Sequence, residues 1–191
     1  MNQIEKNHVY NVYNEISKDF ENTRKNLVWP FLKNFIDNIE PYSIVCDIGS
    51  GSGRNLYRND VEYIASDFSE QMCNILKSKT NNVLTANVLS LPFRDNTFDV
   101  VLCVACIHHL SSFERRKSAI NECMRILKPN GKILITVWAE SEKYGSDDQY
   151  ISWNNSYNRY YHLFTQEEIE KVKPKNTKIY LEKYNYYIIN E

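Results

Sequence analysis

Residues 44–53 read Ile-Val-Cys-Asp-Ile-Gly-Ser-Gly-Ser-Gly, an apolar run that meets three glycines within five positions. The whole chain holds five glycines, so Gly49, Gly51 and Gly53 concentrate most of them at one turn. Glycine accepts left-handed backbone and lets the main chain approach a ligand with no Cβ between them. A buried strand that runs straight into such a turn begins a strand-loop-helix unit, and 191 residues suffice for one sheet covered on both faces.

The rest of the pattern extends that unit. Val9, Val12, Tyr13, Ile16 and Phe20 recur at helical spacing, and a second apolar helix follows Pro30 through Phe31, Leu32, Phe35 and Ile36, giving a helical cap over residues 1–40. Strands are predicted at Ile44–Ile48, Glu62–Ser66, Val83–Ala86, Phe98–Ala105 and Lys132–Trp138. Helices are predicted at Arg54–Arg58, Ser69–Lys79 (capped by Ser69) and Glu114–Leu127, the last stopped by Pro129 and Gly131. A polar insert, Glu140–Asn158, leads into an aromatic cluster, so that residues 140–164 form a substrate-side insert. Thr165 and Glu168 then open a helix as a capping box, and Thr177–Leu181 and Tyr184–Ile189 read as an antiparallel finish. Regular alternation of strand and helix implies an α/β fold, one Rossmann-like, doubly wound and mostly parallel sheet with an antiparallel C-terminal strand.

Composition narrows the function classes. A net charge of -1 supplies no global field toward nucleic acid or an anionic membrane, so any RNA affinity comes from a local patch or a partner. No stretch approaches the roughly 20 apolar residues of a membrane span, and the polar start shows no signal-peptide core. The expectation is a soluble protein of the cytoplasm or nucleus. Cys46, Cys73, Cys103, Cys106 and Cys123 are odd in number and sit in apolar or helical pattern, as buried free thiols in a reducing compartment do.

A loop after the first strand of such a sheet lies at the carboxyl edge, where ligands bind. The dinucleotide fingerprint is G-x-G-x-x-G; here the third glycine comes one place early and Arg54 stands where glycine belongs. Preceded by Val45-Cys46-Asp47-Ile48, the loop resembles motif I of the class I S-adenosylmethionine-dependent methyltransferases, and the resemblance implies that fold and that cofactor. Asp47, Gly49, Ser50 and Gly51 then belong to a loop that curls around the methionine and ribose parts of a phosphate-free ligand. Asp67, at the end of the second strand, has the chemistry to accept from both ribose hydroxyls, at about 1.5–3 kcal/mol per charge-assisted bond. Phe68 packs on adenine, and Asn87 with Val88 follows the third strand. Asn87 stands where the family usually has an acidic residue, and its amide oxygen still accepts from the adenine amino group. Leu91-Pro92-Phe93 and Thr97-Phe98-Asp99 fit the same pattern, and Cys103 reads as lining the cofactor pocket.

Further along, His108-His109-Leu110-Ser111-Ser112-Phe113-Glu114-Arg115-Arg116, Val137-Trp138-Ala139 and Arg159-Tyr160-Tyr161-His162-Leu163-Phe164 are similar to the eukaryotic tRNA wobble-uridine methyltransferases, as are Val12–Ile16, Thr23-Arg24 and Trp29-Pro30. These esterify 5-carboxymethyluridine at position 34. Leu110 replaces the usual Trp, and the insert is shorter and less basic than in that family. A carboxylate is ionised at neutral pH, so methyl transfer to it calls for alignment and exclusion of water rather than a general base. Arg24, His109, Arg116 and His162 are the candidate clamps for that carboxylate or for phosphate, and Trp138, Tyr160 and Tyr161 are candidates to stack on a splayed base. Each has a plainer reading: Arg115 and Arg116 as a solvated helix face, Trp138 as core at a strand end, and the tyrosines as packing for the last helix.

Cys103-Val104-Ala105-Cys106-Ile107-His108-His109 imitates a zinc ligand set, but residues three apart on a strand point to opposite faces unless the strand breaks, so no metal is expected. Lys171, Lys173, Lys175 and Lys178 are flanked by glutamates and read as a solvated face. The resemblance also implies partners: the tRNA anticodon loop, and a small zinc-ribbon methyltransferase activator forming a heterodimer along the edge strand 83–86, with no membrane involved. Competing functions are a small-molecule methyltransferase of the quinone or sterol-like type, and a non-catalytic cofactor-binding subunit of an RNA-modifying complex.

Overall fold

The computed structural model describes residues 2–24 and 29–190. Five strands pair in parallel: β1 (Ile44–Ile48), β2 (Glu62–Asp67), β3 (Val83–Thr85), β4 (Phe98–Val104) and β5 (Leu127–Trp138). Then β9 (Asn185–Ile189) adds antiparallel to β5, and β8 (Lys178–Glu182) antiparallel to β9, for the order β3-β2-β1-β4-β5-β9-β8. The chain reverses its direction of travel between β1 and β4, which places the switch point at the carboxyl ends of these two strands.

Strand period 2 splits the core into two layers. Cys46, Ile48, Val101 and Cys103 face α5 (Phe113–Ile126), where Ala119, Ile120 and Cys123 are sealed from solvent. Val45, Val100 and Leu102 face the other way, onto Leu32 and Ile36 of α3 (Pro30–Asp37). The N-terminal segment crosses the top as α1 (Gln3–Glu5), a π-helical turn (Lys6–Tyr10) and α2 (Asn11–Arg24). Ser69 caps α4 (Glu70–Leu76) and Thr165 caps α6 (Gln166–Val172), each oxygen accepting from a backbone N–H three residues on. Among the described residues, no helix is long and apolar enough to cross a membrane.

Four local expectations are corrected. Arg54–Arg58 forms no helix: three left-handed glycines precede it, and Asn55 turns inward to Asp47, leaving only turns closed by Gly53 N–H to Ser50 O and Leu56 N–H to Gly53 O. β5 begins at Leu127 rather than Lys132, because the register slips between Phe98 and Val100 and the Pro129–Gly131 stretch bulges within the strand. The polar insert is a β-hairpin, β6 (Asp147–Trp153) against β7 (Tyr157–Leu163), turned by Asn154 and Asn155, both with positive φ. Finally, Glu168 does not complete the capping box; its carboxylate reaches Arg116 and His162 instead.

Candidate active site

The glycine loop is fixed by its own hydrogen bonds. Gly49, Gly51 and Gly53 have φ of 64°, 55° and 71°, and a Cβ at Gly49 would lie 2.7 Å from Cys106 Sγ, so no larger residue fits there. The Gly51 and Ser69 N–H groups donate to the two Asp67 oxygens at 2.9 Å each, which holds that carboxyl at the mouth of the loop. Burial raises the Asp67 pKa against those donors. Asp47 lies one layer deeper. Its carboxylate accepts weakly from Asn55 Nδ2 (3.3 and 3.4 Å), and complete burial pushes its pKa up to about 7.

Above the loop lies a cavity of about 370 Å³, of a size for a small-molecule ligand. Of the residues singled out from sequence, Arg24, Gly49, Ser50, Gly51, Asp67, Phe68, Asn87, His109, Trp138 and Tyr161 line it. Asp47 supports the loop from behind. Val88, in the turn after β3, and Cys103, which strand alternation turns toward α5, belong to the core; Cys106, after the strand ends, takes the wall position expected of Cys103. The Asn87 amide oxygen accepts from Leu89 N–H (3.0 Å) in an Asx turn, which fixes the side chain at the cavity edge. Nothing here clashes with an adenosyl ligand: a loop without Cβ atoms, a buried acidic group and an aromatic ring, Phe68, share one wall.

The opposite wall is aromatic. Trp138 stacks on Tyr161 (4.8 Å, 27°) and packs against Tyr144 (5.3 Å). His109 Nδ1 lies 2.7 Å from the Tyr160 carbonyl, which accepts, so the proton is on Nδ1 and Nε2 is an acceptor for Tyr13 OH at 3.1 Å. Tyr13 OH lies 3.3 Å from Tyr161 OH, which accepts from Arg159 at 2.8 Å. The donors therefore run in one direction, Arg159 to Tyr161 to Tyr13 to His109. Desolvation, with the Arg159 charge adding to it, lowers the His109 pKa to about 4, so at neutral pH this imidazole is an uncharged part of the chain rather than a cation. His108 Nδ1 accepts from Trp138 N–H (3.2 Å), which puts its proton on Nε2; burial and the adjacent His109 hold its pKa well below the ordinary histidine value.

Positive charge in the cavity comes from arginine. Arg24 lies over Phe20 (5.0 Å) and Trp153 (5.7 Å), and Arg54 over Trp29 (4.1 Å). Neither forms an ion pair with a carboxylate among the described residues. Burial first, and Arg24 second, lower the Arg54 pKa to about 10, which leaves it charged. Arg159 stands behind Tyr161, buried over Trp153 (4.7 Å), with its Nε lacking an acceptor. Two guanidinium groups, Arg24 and Arg54, thus line a cleft with apolar walls and a third stands behind one wall, an arrangement that favours anionic groups on that side.

Arg116 and His162 sit elsewhere. Arg116 donates to the Leu110 carbonyl and pairs with Glu168 (3.0 Å), while His162 bridges Asp148 (2.8 Å) and Glu168 (2.7 Å). Tyr160 OH joins them through Asp148 (2.6 Å). Alternation along β7 explains the division: Arg159 and Tyr161 face the cavity side, Tyr160 and His162 the ionic cluster. Neither clamp expected at 116 and 162 is on the cavity wall, and Tyr160, unlike Tyr161, faces away from the cavity and so offers no face to a base. Arg115 is not a free surface charge either. It grips Glu5 with two donors (2.7 and 2.5 Å) and ties the N-terminal helix to α5.

A profile described as "Methyltransferase domain" matches residues 46–135. The tRNA (carboxymethyluridine(34)-5-O)-methyltransferase of Arabidopsis thaliana is 37% identical over 142 residues, 74% of this chain and 35% of that protein. A protein of Encephalitozoon cuniculi named "Putative methyltransferase" is 37% identical over 178 residues, covering 86% of this chain and 83% of the other. The chain belongs to a family of methyltransferases, and it is similar to the tRNA carboxymethyluridine methyltransferases. It spans 35% of the length of the first curated relatives it matches. Among solved structures, the methyltransferase in "Complex between the Haloferax volcanii Trm112 methyltransferase activator and the putative methyltransferase" shares the fold, with a TM-score of 0.68, 18% identity and coverage of 91% of this chain and 78% of that one.

Within this family frame, several wall residues escaped the sequence reading. Tyr13 reads as core of an amphipathic helix, and nothing local shows that its hydroxyl meets His109 across 96 positions. Arg54 passes for the broken end of a glycine fingerprint, and its seat over Trp29, 25 positions earlier, appears only in the fold. Arg159 lies inside the Arg-Tyr-Tyr-His motif, and the period-2 rule would have set it with Tyr161 had the hairpin been recognised from Asn154-Asn155.

Proposed function

We propose that this protein transfers the methyl group of S-adenosylmethionine to the carboxylate of 5-carboxymethyluridine at tRNA position 34, forming the methyl ester. One observation carries the reading: arginines without carboxylate partners, Arg24 and Arg54, in an aromatic-walled cavity above the glycine loop. When bound, S-adenosylmethionine supplies the electrophilic methyl. Gly49, Gly51, Asp67 and Phe68 hold the cofactor side, and the guanidinium groups hold carboxylates.

The protein's own groups perform alignment. The acceptor carboxylate is ionised at neutral pH, so no proton needs to be removed and a neutral His109 costs the reaction nothing. Trp138 and Tyr161 offer a flat face for a splayed pyrimidine, and stacking there contributes about 1–3 kcal/mol. The Arg159–Tyr161–Tyr13–His109 chain keeps that face at a fixed angle, and precise orientation contributes roughly 7–11 kcal/mol against the free bimolecular reaction.

On this reading the protein acts in the cytoplasm or nucleus. A small zinc-ribbon activator is the proposed partner, joining a heterodimer by adding a strand beside β3, the short edge strand whose outer side has no strand partner among the described residues. The test is transfer of labelled methyl to total tRNA with and without the activator, followed by nucleoside analysis. A methyl ester at the wobble uridine supports the reading; label in any other nucleoside, or none with the activator present, overturns it.

A further inference from the structure

Cys103 and Cys106 stand three apart at the end of β4, a spacing that a continuous strand directs to opposite faces. The strand ends at Val104, and Ala105 takes φ 54°. Its N–H donates to both the Thr136 carbonyl (3.1 Å) and Thr136 Oγ1 (2.9 Å), which anchors the break. The break that a shared site for the two sulfurs requires is therefore present, and the neighbouring thiols of Cys106 and Cys123, with burial, raise the Cys103 pKa well above the ordinary thiol value.

The three sulfurs differ in access. Cys103 and Cys123 are sealed in the core, whereas Cys106 lines the cavity with its sulfur packed against Gly49. One thiol thus faces incoming small molecules while a second lies in the core behind it, three positions back along the chain. Cys123 is the less suitable second thiol, because it is carried on α5 and fixed by that helix's packing.

We propose that Cys106 is a peroxide-sensitive modification site in the cavity wall, with Cys103 as its resolving thiol. Hydrogen peroxide is the co-reactant. The Cys106 thiolate attacks one peroxide oxygen; an S–O bond forms, the O–O bond breaks, and the leaving hydroxide takes up the thiol proton as water. The Cys103 sulfur then attacks the Cys106 sulfenic acid; the S–S bond forms, the S–O bond breaks, and a second water leaves. Two thiols are oxidised and one peroxide is reduced.

The bond draws the Cys106 sulfur away from Gly49 and pulls on the Ile107–His109 turn, which carries His108 and His109 to the cavity. Oxidation therefore reshapes the cavity, and a ligand filling the cavity shields Cys106. The last two consequences rest on the cavity being the cofactor site; the formation of the bond does not.

The test treats the full chain with a small excess of hydrogen peroxide and maps it by mass spectrometry after tryptic digestion. Cys103 and Cys106 lie on one peptide between Arg94 and Arg115, and Cys123 lies on another. The expected result is loss of two hydrogen atoms from the first peptide, reversed by dithiothreitol, slowed by S-adenosylhomocysteine and abolished in Cys103→Ala and Cys106→Ser but not in Cys123→Ala. The treated wild-type protein loses cofactor affinity and regains it on reduction. A cross-link to the Cys123 peptide, or oxygen addition at Cys106 without the loss of hydrogen, overturns the proposal. Bond formation with unchanged cofactor affinity overturns the cavity coupling, and absence of cofactor binding to the reduced protein counts against the cofactor reading instead.

Discussion

His109 supplies a quantitative test of the site's electrostatics. Its Nδ1 proton is committed to the Tyr160 carbonyl and its Nε2 to Tyr13, so protonation forces the ring to break the Tyr13 bond beside Arg159. With a folded pKa of about 4 against the ordinary 6.5, the folded state binds fewer protons than the unfolded state between those values, and stability falls as pH drops through that window. At about 1.4 kcal/mol per pH unit, His109 alone removes ~2–3 kcal/mol between pH 6.5 and 4.5. The perturbation is His109→Gln, which keeps a donor for the carbonyl but does not titrate. Denaturant unfolding of both proteins at pH 6.5 and 4.5 gives four free energies, and groups shared by both proteins cancel in the difference of differences. The wild type is expected to lose ~2–3 kcal/mol more than the variant over that interval. Nitrogen-resolved NMR at pH 7 is expected to show the proton on Nδ1. An equal loss in the two proteins, a His109 that titrates near 6.5, or a proton on Nε2 refutes the hydrogen-bond chain as drawn.

Asp47 has the opposite sign: its folded pKa of about 7 makes the folded state bind the extra proton between about pH 4 and 7, so stability from this group declines as pH rises through that range and is flat above it. Asp47→Asn should remove that decline, read as the wild-type minus variant difference in unfolding free energy at pH 5 and 7. Arg116→Ala leaves Glu168 and His162 with a broken buried pair and should cost about 3–5 kcal/mol of stability, whereas Arg24→Ala should leave the denaturation midpoint nearly unchanged while acceptor methylation collapses with cofactor affinity retained. Arg159→Met removes a buried charge that has no carboxylate partner, so stability should hold or rise while turnover falls, as thermal melts beside methyl-transfer rates would show.

The sequence reading reached the scaffold because its signals are local. The apolar run into Gly49–Gly53, the Ser69 and Thr165 caps and the alternation of periods each specify an element without knowledge of the rest, and the observed sheet follows them. It failed where a residue's role depends on contacts distant in sequence. Arg116 and His162 have the side chains of anion clamps, yet Glu168 and Asp148, brought in by α6 and β6, neutralise them behind the wall. Conversely, Arg54 and Arg159 look incidental in sequence and stand out only because folding seats them on Trp29 and Trp153 with no ion pair to a carboxylate among the described residues. The Cys103–Cys106 contact depends on one left-handed alanine, a conformation that no propensity for alanine predicts.

In the proposed function the arginines of this cavity present a carboxylate, and no other group, to the methyl donor. Two anticodon stem-loops that differ only in carrying carboxymethyluridine or uridine at position 34, incubated with labelled S-adenosylmethionine and the activator, test it directly. Label is expected on the first alone, released by mild alkali as an ester must be. Label on the uridine stem-loop, or label on the first that survives alkali, would contradict it.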